Sequence, residues 1–378
     1  MNLPHCYPKR ILLAVSGMSP QIVTETLYAL AQPETEQAFI PTDIHLISTT
    51  TGKNKAMLEL LHPQTGKFYQ LCKDYGLEGI HFTSDNIHVI PDKNGLLLDD
   101  IKTPEENEAA ADFITQKVNE LTRDTESALH VSIAGGRKTM GYYLGYALSL
   151  YGRAQDRLSH VLVTDRYESL KDFFYPTIDS QVIYDRDNQP LDTQAAQVVL
   201  ASIPFVRLRS GLPHFLLEGT ASFNDSIRFA RTLKADPLLE IDLAQCCLYA
   251  NGIAVPLTGI NFAFYLWMIE QTVSKPGVIK RSAHANLDYT DSFLKSYQKI
   301  FSELKDIEKT ENTLEKGMES KWLSERITAV KKAFEKALGT NAARAFIVDS
   351  TGKNTQKVHA ITLTAQQIKG LELKEACD

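Results

Sequence analysis

The chain of 378 residues lacks the features that would make several function classes obvious. No apolar run approaches the roughly 18–20 residues that a membrane helix requires. The N-terminus, MNLPHCYPKR, has no long apolar segment, so no secretory signal is expected there. The five cysteines, Cys6, Cys72, Cys246, Cys247 and Cys377, are odd in number and lack metal-ligand spacing. That pattern reads as free thiols in a reducing cytoplasm. There is no excess of positive charge, the formal net charge being -6, so no global signal of nucleic-acid binding exists. A Gly-x-Gly-x-x-Gly fingerprint is absent, as is the Gly-x-x-x-x-Gly-Lys-Ser/Thr loop, so neither a plain dinucleotide enzyme nor an ATPase is supported. Internal repeats and low-complexity tracts are missing too.

The first half is an alternation of strand and helix signals. Ile11–Val15 is a short, fully apolar run, as a strand buried on both faces should be, and Ile44–Ser48, Ile87–Ile90, Ala128–Ile133 and His160–Val163 read as further strands. Helical spacing lies between them, over Pro20–Ala31, Asn54–Tyr75 with a bend near Pro63, Thr103 to about Leu121, and Lys138–Tyr151. Thr103-Pro-Glu-Glu106 is a strong helix start, with a capping hydroxyl, a proline in the first turn and acids on the dipole. This rhythm predicts a parallel, doubly wound sheet of Rossmann type, whose ligands bind beyond the carboxyl ends of the strands. The predicted domains are residues 1–180, a polar connector over 181–237 in which Gln197–Arg209 adds a strand, and 238–378.

Two loops stand where such a ligand would sit. Val131-Ser-Ile-Ala-Gly-Gly-Arg-Lys-Thr-Met140 runs from a strand through two glycines and two cations into a helix. Open backbone, positive charge and a helix N-terminus together suit a phosphate. Arg137 offers a bidentate grip and Lys138 a mobile point charge. Cations there oppose the helix dipole, so they cost stability unless an anion accompanies them. Val15-Ser-Gly-Met-Ser-Pro20 occupies the same strand-to-helix position near the N-terminus. Neither loop contains a histidine or carboxylate. Asp99-Asp100 reads as a loop pair before a helix and no metal site is expected; Asp165-Arg166, after the fifth strand, reads as a surface ion pair or turn, with a place at the border of the pocket as the alternative.

The last third has a different grammar. Leu238–Leu243, Cys247–Ala250 and Ile253–Pro256 read as strands with a turn at Asn251-Gly252. Leu257–Ile269 opens a helix, 283–317 is polar and helix-rich, and Trp322–Leu338 is amphipathic and ends at Gly339. Ala345–Val348 and Lys357–Leu363 read as a closing hairpin. These are the parts of a winged helix-turn-helix. From Lys275 to Arg344 there are 14 lysines and arginines against 10 acids. Lys321, Arg326, Lys331, Lys332 and Lys336 fall opposite the apolar stripe of the long helix, with Lys353 and Lys357 in the wing, a pattern suited to DNA phosphates, while a role of this region in dimerisation or oligomerisation is the equal alternative.

The two loops, with the strand end Ser48-Thr-Thr-Thr-Gly52 and the later Asp172-Phe-Phe-Tyr-Pro176, resemble the CARF (CRISPR-associated Rossmann fold) proteins, and among them the ring nucleases that carry a C-terminal winged helix. Ile241-Asp-Leu-Ala, Asn251-Gly, Pro256-Leu-Thr258 and Phe262 resemble winged-helix regulators. The resemblance implies a cytoplasmic homodimer that binds cyclic oligoadenylate, most simply cyclic tetra-adenylate, and cleaves it without metal or cofactor by attack of a ribose 2′-OH on the neighbouring phosphate. It implies Ser16 and Lys138 as catalytic residues, and Gly17, Met18, Thr49, Thr50, Gly135, Gly136, Arg137 and Thr139 as ligand-binding residues. A cyclic-oligoadenylate-responsive DNA-binding regulator without cleavage is the alternative.

Overall fold

The structure is a computed structural model that describes residues 2–33, 37–168, 170–218, 222–232, 235–274, 279–282, 284–301, 304–352 and 357–371. The chain divides into two compact units, Met1–Arg209 with Gly219–Asn224, and Ser210–Glu218 with Asp225–Asp378.

The first unit is built as β1 (Lys9–Val15), α1 (Gln21–Ala31), β2 (Asp43–Ser48), α2 (Thr50–Glu59), α3 (Lys67–Asp74), β3 (Ile87–Val89), α4 (Pro104–Leu121), β4 (Ser127–Ser132), α5 (Lys138–Tyr151), β5 (Arg157–Val163), β6 (Val182–Tyr184), β7 (Pro190–Asp192) and β8 (Val198–Ser202). Its main sheet has the order β3-β2-β1-β4-β5-β8. Neighbours from β3 to β5 pair in parallel, and β8 runs antiparallel on β5. Because β1 pairs with both β2 and β4, the strand order reverses there. A crevice therefore opens beyond the carboxyl ends of β1 and β4.

The apolar runs form the strands for the reason their pattern suggests. Ile11 to Val15 is at most 1% exposed, as a central strand covered by helices on both faces must be. The predicted single helix over 54–75 is instead two. Thr49 caps α2 by accepting from the Gly52 amide at 3.3 Å, and Pro63, which has no amide to donate, falls in the gap before α3. The start of α4 is as read: Thr103 accepts from the Glu106 amide and the Glu106 carboxylate accepts from the Thr103 amide, at 3.2 and 2.9 Å. The stretch read as a connector supplies the hairpin β6–β7 and the sheet strand β8, so the first unit extends beyond residue 180.

The second unit follows with α6 (His214–Leu217), α7 (Phe223–Thr232, which begins at the boundary), β9 (Leu239–Asp242), β10 (Cys247–Ala250), β11 (Ile253–Val255), α8 (Gly259–Ile269), β12 (Ile279–Lys280), α9 (Leu287–Ile300), α10 (Leu304–Leu314), α11 (Ser320–Ala343), β13 (Asp349–Thr351), β14 (Val358–Ala360) and β15 (Ile368–Lys369). One sheet is ordered β11-β10-β9-β15 and another β12-β14-β13. Asn251 and Gly252 both take positive φ, 49° and 78°, which matches the right-handed twist of the hairpin β10–β11. Helix α8 is buried from Asn261 to Ile269. Its apolar side chains are fully enclosed, Trp267 and Phe264 being 0% exposed.

Helix α11 buries Leu323, Val330, Phe334 and Leu338. Gly339 ends this helical stretch as its position predicts: its backbone is non-helical, at φ 73° and ψ 162°, and a second short helical stretch follows the kink to Ala343. Arg326 is not the outward cation its spacing predicts. It donates to Asn261 at 3.3 Å and lies over Trp322, 5.8 Å from the ring centre. Lys321, Lys331, Lys332 and Lys336 are exposed, and Lys331 pairs with Glu335 at 3.7 Å. Lys353 lies outside the described residues. The fold is thus a Rossmann-like α/β unit followed by an α+β unit. Among the described residues, no helix is long and apolar enough to cross a membrane.

Candidate functional site

Three loops converge on the switch point of the first unit. The first, 16–20, leaves β1. Its entry is pinned at Ser16, whose amide donates to the Ile47 carbonyl at 3.0 Å and whose carbonyl accepts from the Ser48 hydroxyl at 2.6 Å. The second, 133–137, leaves β4 and seats itself against the end of β1. A Cβ placed on Gly135 would lie 2.5 Å from the Val15 carbonyl oxygen, so only glycine fits. Gly136 has φ 73°, a left-handed turn that aims the chain into α5. The third is the stretch before α4. The Thr50 amide donates to the Leu98 carbonyl at 2.8 Å, and the Leu98 amide donates to Ile90 at 2.9 Å. These bonds hold Asp99, Asp100 and Lys102 over the carboxyl ends of the strands.

Helix α5 begins without a side-chain cap. Arg137 stands at the cap position, in extended backbone at φ −71° and ψ 148°, and the first turn contains no acid. A guanidinium has no acceptor to offer the first amides. No side chain of the first turn therefore offsets the positive end of the helix. Arg137 is nonetheless engaged: its Nε and Nη2 donate to the two carboxylate oxygens of Asp100 at 3.2 and 2.7 Å. The guanidinium beside Asp100 holds its carboxyl below the usual carboxylate range.

Two cavities flank the β4–α5 loop. A polar one of about 420 Å³ is lined by Gly17, Met18, Ser19, Thr49, Thr51, Asp99, Asp100, Lys102, Gly136 and Arg137. The other, of about 640 Å³, is a groove along α5, where Gly135, Gly136, Arg137 and Lys138 meet Tyr142, Tyr146 and Phe205. Gly136 and Arg137 line both. Of the residues singled out from sequence, Gly17, Met18, Thr49, Gly136 and Arg137 come together on the polar cavity. Gly135 and Lys138 join the α5 groove. Ser16, 1% exposed, lines neither cavity. Thr50 is half-buried and Thr139 is exposed, and they too lie off both linings. Ser16 and Lys138, expected to act together, therefore do not share a cavity.

Sequence reasoning missed Asp100, Ser19 and the aromatic wall. Ser19 lay within the quoted loop, but only burial separates it from Ser16. Tyr142 and Tyr146 carried a readable signal, being four residues apart on one helix face. Asp100 carried none, because its partner is 37 residues distant. The carboxylates that the two loops lack arrive from the third loop. Among the described residues, no group of three or more histidine, cysteine or acidic side chains is placed to hold a metal ion.

No curated protein matches the sequence. The family model of CRISPR-associated protein NE0113 matches residues 19–235, which takes in α1 to β8, the second and third loops of the site and the last two residues of the first. Since that match spans more than half of the 378 residues, the chain belongs to the CRISPR-associated protein NE0113 family (Cas_NE0113).

Proposed function

We propose that the protein is a ring nuclease of CRISPR defence, a homodimer that binds cyclic oligoadenylate across two copies of this crevice and opens it. The observation that carries this reading is the uncapped, cationic start of α5 seated against the end of β1 by Gly135. It offers backbone amides, Arg137 and Lys138 to a phosphodiester at a Rossmann switch point. Membership of a CRISPR-associated family supports the same reading.

In the proposed reaction a ribose 2′-oxygen bonds to the adjacent phosphorus and the bond from phosphorus to the 5′-oxygen breaks. The products are a 2′,3′-cyclic phosphate and a 5′-hydroxyl. The proton lost by the 2′-OH is balanced by the one the 5′-oxygen gains, so no water is consumed. The protein's task is to hold the 2′-oxygen in line with the leaving oxygen and to stabilise the charge that builds on the phosphorane. Lys138, at the first position of α5, is assigned the charge. Ser19 is assigned the orienting hydroxyl, because it lines the polar cavity and Ser16 is enclosed. Ser16 then serves by anchoring the loop through its backbone.

A second reading is a ligand-responsive regulator that binds the ring intact. It is favoured by the exposed Lys321, Lys332 and Lys336 on α11 and by the β13–β14 hairpin, which we assign as the wing of a winged helix contacting DNA phosphates. Incubating the pure protein in EDTA with labelled cyclic tetra- and hexa-adenylate separates the two. Linear products ending in cyclic phosphate support the nuclease. Tight binding of an intact ring, with a salt-sensitive DNA mobility shift abolished by Lys331→Glu/Lys332→Glu, supports the regulator. Failure to bind either ring refutes both.

A further inference from the structure

We propose that the groove along α5 is a second nucleoside subsite, which takes a purine base while Gly136, Arg137 and Lys138 hold the phosphate joining it to the nucleoside in the polar cavity. This rests on the nucleotide-binding reading above and names how the strand lies. Gly136 and Arg137 line both cavities. Gly17, Ser19 and Thr49 face one side, and Lys138 faces the other. A mononucleotide can occupy one side, whereas a phosphodiester on the loop between them carries a nucleoside to each.

The groove has the chemistry of a base site. Tyr142, 61% exposed, and Tyr146 stack 6.2 Å apart at 29°, and Phe205 lies on the same cavity. Such ring faces hold nucleobases by stacking. Arg137 and Lys138 stand on the same lining, where they could meet a phosphate. Gly145, on the lining, presents no side chain to the groove. A volume of about 640 Å³ falls in the range of small-ligand sites.

The test is Gly145→Leu. A Cβ there meets only the Leu158 side chain, at 3.8 Å, which is an ordinary contact, and leucine favours the helix more than glycine does. The variant is expected to melt no lower than the wild type while filling the groove. Binding of cyclic tetra-adenylate and of linear pApA should weaken at least about tenfold, and binding of AMP should change less than about twofold. Tyr142→Ala should weaken the first two in the same direction and provides a second route if the leucine variant does not fold. Wild-type affinity for both oligonucleotides in both variants overturns the subsite and leaves the proposed function standing. A wild-type protein that binds none of the three probes overturns both. If Gly145→Leu instead abolishes self-association without ligand in sedimentation, the groove belongs to a second copy of the chain and the subsite is refuted.

Discussion

Arg137 grips Asp100 with both ends of its fork, Nε to Oδ1 at 3.2 Å and Nη2 to Oδ2 at 2.7 Å. The pair joins the loop after β4 to the stretch before α4, at the rim of the polar cavity. Both side chains remain well exposed, at 49% and 41%. An exposed pair of this kind contributes about 0–1 kcal/mol to stability, so an incoming phosphate can take the guanidinium from the carboxylate at little cost. In the proposed complex the same carboxylate would compete with the ligand for its cation.

Asp100→Asn is therefore expected to tighten binding of cyclic tetra-adenylate by roughly three- to tenfold, with little change in melting temperature. Arg137→Ala should weaken it by a similar factor or more. Titration calorimetry at fixed ionic strength reads both. Equal affinities of wild type and Asp100→Asn would show that the carboxylate does not compete.

The cavity linings separate Ser16 and Lys138, which sequence grouped together, and bring in Ser19. Lys138→Ala should slow ring opening at least about tenfold, a loss of roughly 1.4 kcal/mol of transition-state stabilisation. Ser19→Ala should slow it as well. Ser16→Ala, which removes a hydroxyl that donates to the Gly17 carbonyl at 3.5 Å, should leave the single-turnover rate within about twofold. The reverse ranking of the two serines would move the orienting role back to Ser16.

Gly135→Ala forces a methyl group toward the Val15 carbonyl oxygen, 2.5 Å away, and toward Ile22 Cγ1 at 2.8 Å. The backbone of a central strand cannot yield, so the β4–α5 loop must lift. A destabilisation of about 1–3 kcal/mol is expected, together with weakened ligand binding. Chemical denaturation gives the first and calorimetry the second. A variant as stable as the wild type would mean that the loop repacks without cost.

Glu25, on α1, is buried, and burial, helped by the nearby Glu168, pushes its carboxyl up from 4.5 to about 8. A carboxyl whose folded value is raised binds its proton more tightly when folded. Its contribution is full below the unfolded value near 4.5 and is lost as pH rises toward 8. Glu25→Gln, which stays neutral throughout, should gain on the wild type by roughly 2–4 kcal/mol between pH 5 and pH 8. Melting curves of both proteins across that range test it, and a constant gap would exclude a shifted carboxyl at this position.

The elements that were legible in the sequence are those specified by local physics. Ile11–Val15 is apolar on both faces and became a central strand. Thr103 and Glu106 are three residues apart and closed a capping box. Asn251-Gly252 tolerates positive φ and turned a hairpin. The Gly135-Gly136 loop was legible for a similar reason, since glycines and cations at a helix start advertise open backbone and charge. Arg326 was misread because helical spacing reports only which face a residue occupies, whereas its long side chain bends back over Trp322 to Asn261.

The sequence by itself determined the alternating strands and helices, the two loops at the strand ends and the kind of ligand they suit, because each follows from residues within one turn of one another. Only the tertiary structure decided that Ser16 is enclosed and Ser19 open, that Arg137 answers to Asp100, and that Lys138 faces an aromatic groove rather than the polar cavity. Those outcomes depend on which strands become neighbours in the sheet. That choice brings together residues tens of positions apart, and no local periodicity records it.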